Sequence, residues 1–101
     1  MIVEFSIIPI GRGEELAGYV AEMLDLVDGS GLPYRLTAMG TILEGDWDAV
    51  MPLIKACHEK MMAHGSRVLT RISIDDRRGA SNRIEGKVAD VEKVLGRDLK
   101  K

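Results

Sequence analysis

The stretch IVEFSIIP at residues 2–9 decides how the chain folds. It is rich in β-branched residues and is bounded by a proline and a nearby glycine, so it predicts a β-strand. Successive residues of a strand point to opposite faces, which places Val3, Phe5 and Ile7 on one face and Glu4 and Ser6 on the other. The first face is suited to a core. The second is suited to solvent, to the floor of a pocket or to a subunit contact.

Helical and strand patterns alternate along the rest of the chain. Apolar residues at helical spacing follow over residues 16–27, and the glycines at 29 and 31 are suited to end that helix. Shorter runs then predict strands over residues 34–39 and 41–44, a second helix that ends at His64-Gly65, a strand over residues 67–75 and a last helix. Asp46 and Ser81 are expected to cap the second and third helices. Pro52 is expected to kink or restart the second one.

The order βαββαβ plus a final helix predicts an α+β fold. Its simplest form is a ferredoxin-like antiparallel sheet with an extra C-terminal helix, built as a single domain over residues 1–101. Two helices are expected to cover one face of the sheet. The other face is expected to carry Glu4, Ser6, Arg71 and Ser73, and an antiparallel sheet tolerates such a polar face.

Composition narrows the class of protein. Fourteen basic and sixteen acidic residues are mixed along the chain, so we expect no nucleic-acid partner, which would require a clustered basic face. No apolar run approaches the roughly 20 residues of a membrane span. The single cysteine, Cys57, cannot form an internal disulfide. These features together predict a cytoplasmic protein without a membrane partner.

Three segments resemble, in their order and spacing, a small thiamine-binding family with a ferredoxin-like fold, UPF0045. They are Ser6 to Gly11, Met39 to Trp47 and Ile74 to Arg78. The resemblance extends from Ile2 to about Leu95. It implies that the protein binds thiamine or its hydroxymethyl-pyrimidine half, as a carrier, buffer or sensor.

The same resemblance implies which residues bind the ligand. Gly40 alone reads equally well as a hairpin glycine, and Glu44 as a solvated charge. In the family reading, polar groups fix the pyrimidine edge, Met39 and Trp47 hold the ring between them, and Glu44 faces the amine or the cation. The candidate ligand-binding residues are Ser6, Met39, Gly40, Thr41, Glu44, Trp47 and Arg71. Near the first helix, acidic Glu14 or Glu15 stands where the family commonly has a small hydroxyl residue, which argues against a preference for thiamine phosphates.

The sequence itself contains no nucleophile–base pair, metal-ligand spacing or cofactor fingerprint, so we expect no catalysis, no metal and no cofactor. An enzyme of thiamine salvage is the less favoured alternative, and its base would come from Glu44, Asp75 or His58. The other alternative is a regulatory module that contacts partner proteins through its sheet. The charged run from Asp75 to Arg78 is interpreted as a charge-paired strand end that orders the last turn or a subunit contact.

Assembly is a further expectation. The last helix carries a narrow apolar stripe, Ile84, Val88, Val91 and Leu95, spaced like a coiled-coil seam. The resemblance implies association as well. We therefore expect a homo-oligomer, more precisely a dimer of dimers, that is, a homotetramer.

Overall fold

The computed structural model describes residues 1–100, which form four strands and three helices. In chain order these are β1 (Ile2–Pro9), α1 (Ala17–Gly29), β2 (Tyr34–Leu36), β3 (Thr41–Glu44), α2 (Trp47–Met62), β4 (Val68–Asp75) and α3 (Arg83–Leu95). None of the helices in this part of the chain is long and apolar enough to cross a membrane.

The four strands form one antiparallel sheet in the order β2-β3-β1-β4. Helices α1 and α2 pack against each other, and residues of both join the core on one face of the sheet. This arrangement confirms the predicted α+β, ferredoxin-like fold with an extra C-terminal helix.

The alternation along β1 builds the core as predicted. Val3, Phe5 and Ile7 are buried, whereas Glu4 on the opposite face is exposed. Apolar side chains from α1, β3 and α2 complete a single cluster around them: Met23, Val27, Leu43, Val50, Ile54, Cys57 and Met61. Burial of these apolar surfaces is the main stabilising contribution to a domain of this size.

The two neighbours of β1 pair with it over different lengths. Strand β4 pairs with all eight residues of β1, from Ile2↔Asp75 to Pro9↔Val68. Strand β3 pairs with only four, from Ile2↔Glu44 to Phe5↔Thr41. The second half of β1 therefore has a strand on one side only among residues 1–100.

Some local predictions were wrong. Strand β2 ends at Leu36, three residues earlier than expected. Asp46 is the N-cap residue of α2, as predicted, but its side chain makes no capping hydrogen bond. Helix α2 continues through Pro52 without a restart, and a kink there stays a prediction. The residue before α3 is Asn82, in a left-handed conformation with a φ of 52°, rather than Ser81.

Candidate functional site

The site begins where β3 stops beside β1. The backbone N–H and C=O groups of successive strand residues point alternately to the two sides. Ile10 donates to the Arg67 carbonyl on the β4 side, and Gly45 donates to the Met1 carbonyl on the β3 side. Odd-numbered residues of β1 thus direct these groups toward β3. Ile7 is the first such residue beyond the last β3 pair, and its N–H and C=O have no hydrogen-bond partner within residues 1–100.

The β2–β3 hairpin stands beside this gap and is held in shape by one side chain. The Thr37 hydroxyl donates to the Gly40 carbonyl at 2.8 Å and accepts from the Met39 and Gly40 N–H groups at 3.2 Å each. The Thr37 N–H also donates to the Gly40 carbonyl at 2.8 Å. Because Thr37 occupies the backbone groups of Gly40, a ligand would have to find its backbone partner elsewhere.

Gly40 is required for close packing of the backbone. A Cβ atom at this position would lie 3.0 Å from the Phe5 carbonyl oxygen and 3.5 Å from the Glu4 side chain. The first contact is with backbone, which cannot move aside as a flexible side chain would. The glycine therefore lets the hairpin approach β1 and shapes the wall of the gap.

A cleft of about 160 Å³, here called the inner cleft, opens at this gap on the helix side of the sheet. Its walls are mainly apolar and come from β1, α1 and the hairpin: Phe5, Ser6, Ile7, Ile8, Val20, Met23, Leu36, Thr37, Ala38, Met39, Gly40 and Thr41. Sites for drug-sized ligands typically measure about 300–1,000 Å³. The inner cleft is thus suited to one small ring.

Thr41 is one of the polar residues that line the inner cleft. It is 3% exposed, and its hydroxyl has no hydrogen-bond partner in the described part of the chain. No buried side-chain nitrogen or oxygen atom among the described residues lacks a hydrogen-bond partner, so the Thr41 hydroxyl lies at the accessible surface of the cleft. Thr41 therefore offers a donor and an acceptor to whatever occupies the cleft.

A second cleft of about 200 Å³, here called the outer cleft, lies on the open face of the sheet. Its lining is more polar and includes charges of both signs: Glu4, Phe5, Ser6, Met39, Arg71 and Ser73. Ser6 and Arg71 are direct cross-strand neighbours. Since Phe5, Ser6 and Met39 line both clefts, the two are adjacent, one on each side of the end of β3.

The structure thus brings together five of the predicted ligand-binding residues: Ser6, Met39, Gly40, Thr41 and Arg71. Glu44 and Trp47 lie at the other end of β3, a four-residue strand of about 13 Å. A single ring cannot be held between Met39 and Trp47 at that separation. Trp47 is 57% exposed and lines neither cleft. Ligand binding by Glu44 and Trp47 stays a prediction.

Glu44 makes a different contact. Its two carboxylate oxygens accept hydrogen bonds from the backbone N–H groups of Arg83 and Ile84 at the start of α3. Glu44 and Asp75 also line a small cleft of about 120 Å³ beneath α3. His58 lies on α2, with its Nδ1 atom 2.6 Å from the Thr70 hydroxyl. The three candidate bases of the salvage-enzyme alternative are therefore divided between two places.

The charged run after β4 does not form the expected ion pairs. Asp75, Asp76, Arg77 and Arg78 are all exposed, and no ion pair joins them within residues 1–100. The expected pairing of charges at the strand end is therefore absent from these residues of a single copy, and a role of the run in a subunit contact stays a prediction. Within the same residues, no group of three or more His, Cys, Asp or Glu side chains is placed to hold a metal ion.

Sequence reasoning missed two elements of the site. The free backbone edge of Ile7 follows from the early end of β3, which alternation alone does not reveal. Thr37 could have been found, because threonine side chains commonly bond to backbone groups two or three residues further on and so interrupt a strand.

Comparisons with known proteins place the chain among relatives over most of its length. The thiamine-binding protein family matches residues 3–92. The UPF0045 protein Mb1933 of Mycobacterium bovis is 39% identical over 96 residues and covers 94% of each chain. YqgV, a UPF0045 protein of Bacillus subtilis, is 36% identical over 100 residues. The match covers 93% of this chain and 96% of YqgV.

A solved structure shows the same fold. The crystal structure of MJ1052 from Methanocaldococcus jannaschii is 34% identical to this chain and superposes with a TM-score of 0.80 over 94% of each chain. MJ1052 is itself a UPF0045 protein. The family match and these identities show that the chain belongs to the thiamine-binding protein family.

Proposed function

We propose that the protein binds thiamine or its hydroxymethyl-pyrimidine half without converting it, and acts as a carrier, buffer or sensor. The observation that carries this proposal is the Thr41 hydroxyl, which has no hydrogen-bond partner within residues 1–100 and is accessible from a ring-sized, mainly apolar cleft. Family membership supports thiamine as the ligand class.

The two clefts match the two halves of thiamine. The inner cleft is apolar and small, as a neutral pyrimidine ring requires, and Thr41 supplies a directing hydroxyl. The outer cleft contains the Glu4 carboxylate, whose charge favours the cationic thiazolium ring, and Arg71, whose charge opposes it. Met39, 85% exposed, lies between them and is free to cover the ligand.

The positions of the candidate bases support binding without turnover. A general base must lie within hydrogen-bond reach of the proton that it removes. Within the described residues, Glu44, Asp75 and His58 line neither the inner nor the outer cleft. Glu44 is moreover engaged with the backbone of α3.

The proposal includes a homo-oligomer, a dimer of dimers, located in the cytoplasm. Helix α3 supports assembly because its apolar stripe is only partly covered. Ile84 and Val88 are half-buried, but Val91 and Leu95 are 45% and 48% exposed. A second copy of the chain would bury the rest of the stripe.

Calorimetric titration of the purified protein with thiamine and with hydroxymethyl-pyrimidine, in EDTA, tests the proposal. We expect saturable binding without metal, and chromatography should recover the ligand unchanged. Absence of heat and of thermal stabilisation with every thiamine-related compound would overturn it and favour a regulatory module. Conversion of the ligand would instead indicate a salvage enzyme.

A further inference from the structure

The gap beside β1 has a defined hydrogen-bonding pattern. If β3 continued in register, position 39 would lie opposite Ile7, since Phe5 lies opposite Thr41. The hairpin turns away instead. Ile7 is left with one N–H donor and one C=O acceptor side by side, without a partner among residues 1–100.

These backbone groups belong to the inner cleft. Ile7 lines it, and the residue as a whole is only 3% exposed, so the cleft is the approach to them. Buried backbone groups of this kind are rarely left unpaired in folded proteins. The arrangement is therefore a binding edge that the chain leaves open for another molecule.

A molecule that replaces the missing strand residue must present an acceptor beside a donor. A 4-aminopyrimidine does so, because its ring nitrogen N3 accepts and the neighbouring amino group donates. A thiazolium ring has no such pair of groups. The rest of the inner cleft, formed by Val20, Met23 and Leu36, provides apolar contact for the faces of a ring.

We infer that Ile7 recognises the aminopyrimidine edge through its backbone, with its N–H donating to ring N3 and its C=O accepting from the 4-amino group. The pyrimidine half of thiamine then fills the inner cleft. This inference rests on the proposed function, and it adds the backbone groups that recognise the pyrimidine edge.

Ligand analogues test the inference on the unaltered protein. The probes are hydroxymethyl-pyrimidine, its 3-deaza analogue without the acceptor, its 4-dimethylamino analogue without the donor, and its 1-deaza analogue as a control that keeps the edge. Each lost hydrogen bond leaves a buried partner unpaired, so we expect about a tenfold loss of affinity for the first two analogues. The control should bind much as the parent does. Equal binding of all four would overturn the inference.

Amide hydrogen exchange, resolved by NMR, gives a direct readout. The Ile7 amide should exchange faster than that of Ile8, which points to β4, and saturation with hydroxymethyl-pyrimidine should protect Ile7 selectively. If hydroxymethyl-pyrimidine binds and the Ile7 amide stays unprotected, the inference fails while the proposed function stands. Adenine has the same pair of groups, an acceptor nitrogen beside an amino donor, and serves as a second probe. If adenine protects the Ile7 amide and no thiamine-related compound binds, the proposed ligand is wrong and recognition by the Ile7 backbone stands. If no compound binds, both fail.

Discussion

The Glu44 carboxylate accepts a hydrogen bond from the backbone N–H of Arg83, with an O···N distance of 2.7 Å across 39 residues of chain. Its other oxygen accepts from the Ile84 N–H at 3.1 Å. The first N–H groups of a helix have no partner within the helix, and a negative charge is favourable at this end. Asn82, the N-cap residue, provides no side-chain bond. Glu44 thus fastens α3 to the sheet.

Glu44→Gln should loosen α3. The glutamine keeps one acceptor oxygen and loses the charge, so we expect a loss of about 1 kcal/mol of stability and faster amide exchange over residues 83–88. Glu85→Gln removes the same charge from the first turn of α3 itself and is the matched control. Wild-type exchange rates in Glu44→Gln would show that this contact does not hold the helix.

Thr37→Val should weaken the β2–β3 hairpin. The substitution removes the hydroxyl that makes three hydrogen bonds within the loop, and we expect a loss of about 1–2 kcal/mol in the free energy of unfolding. Binding at the inner cleft should fall as well, because the loop forms one of its walls. Denaturant titration measures the first effect and calorimetry the second.

Thr37→Ser is the control for that substitution, since it keeps the hydroxyl. It should remain close to the wild type in both measurements. If Thr37→Ser is as unstable as Thr37→Val, the methyl group rather than the hydroxyl is what matters at this position.

The strands that face the core were predictable, because a buried strand face leaves a local pattern of apolar residues in the sequence. The alternation in β1 and the bounds of β3 follow from residue type alone. Strand β2 was predicted too long because the Thr37 side chain bonds to its own loop. The fastening of α3 by Glu44 was not predictable, since it joins residues that the sequence keeps far apart.

The candidate site shows the same difference between what the sequence indicates and what only the folded chain reveals. The family resemblance implied Ser6, Thr41 and Arg71, and the structure places them around the two adjacent clefts. The same resemblance grouped Trp47 with Met39, although a strand separates them in space. His64, in the turn after α2, is half-buried, with its Nε2 atom 2.6 Å from a Glu22 carboxylate oxygen. That contact joins this turn to α1, and residues so far apart in sequence give no local signal of it.

Stability should decline at alkaline pH through Cys57. Burial raises the pKa of this thiol above its ordinary value, and the Lys60 charge opposes the effect in part. The unfolded thiol ionises first, so the stabilising contribution is complete below about pH 8.5 and falls as the pH rises toward the folded pKa. The difference in unfolding free energy between wild type and Cys57→Ala should therefore narrow over this range. A constant difference would contradict the assignment.

Helix α3 should mediate assembly through Val91 and Leu95. Replacing both with Glu places charges on the exposed half of the apolar stripe, and light scattering should then report a smaller mass than for the wild type. Val94→Glu is the control, because Val94 is 88% exposed and lies off the stripe. A monomeric wild type at tens of micromolar, or an unchanged mass in the double variant, would contradict this role.

The central claim is that the Thr41 hydroxyl is kept for a ligand, and comparison of the wild type with Thr41→Val tests it most directly. Valine has nearly the same shape and removes a hydroxyl that has no hydrogen-bond partner within residues 1–100 and is accessible from the inner cleft. We therefore predict an unchanged or higher melting temperature together with about a tenfold weaker affinity for thiamine or its pyrimidine half. A lower melting temperature with unchanged affinity would contradict the account, because Thr41 would then serve the fold and not the ligand.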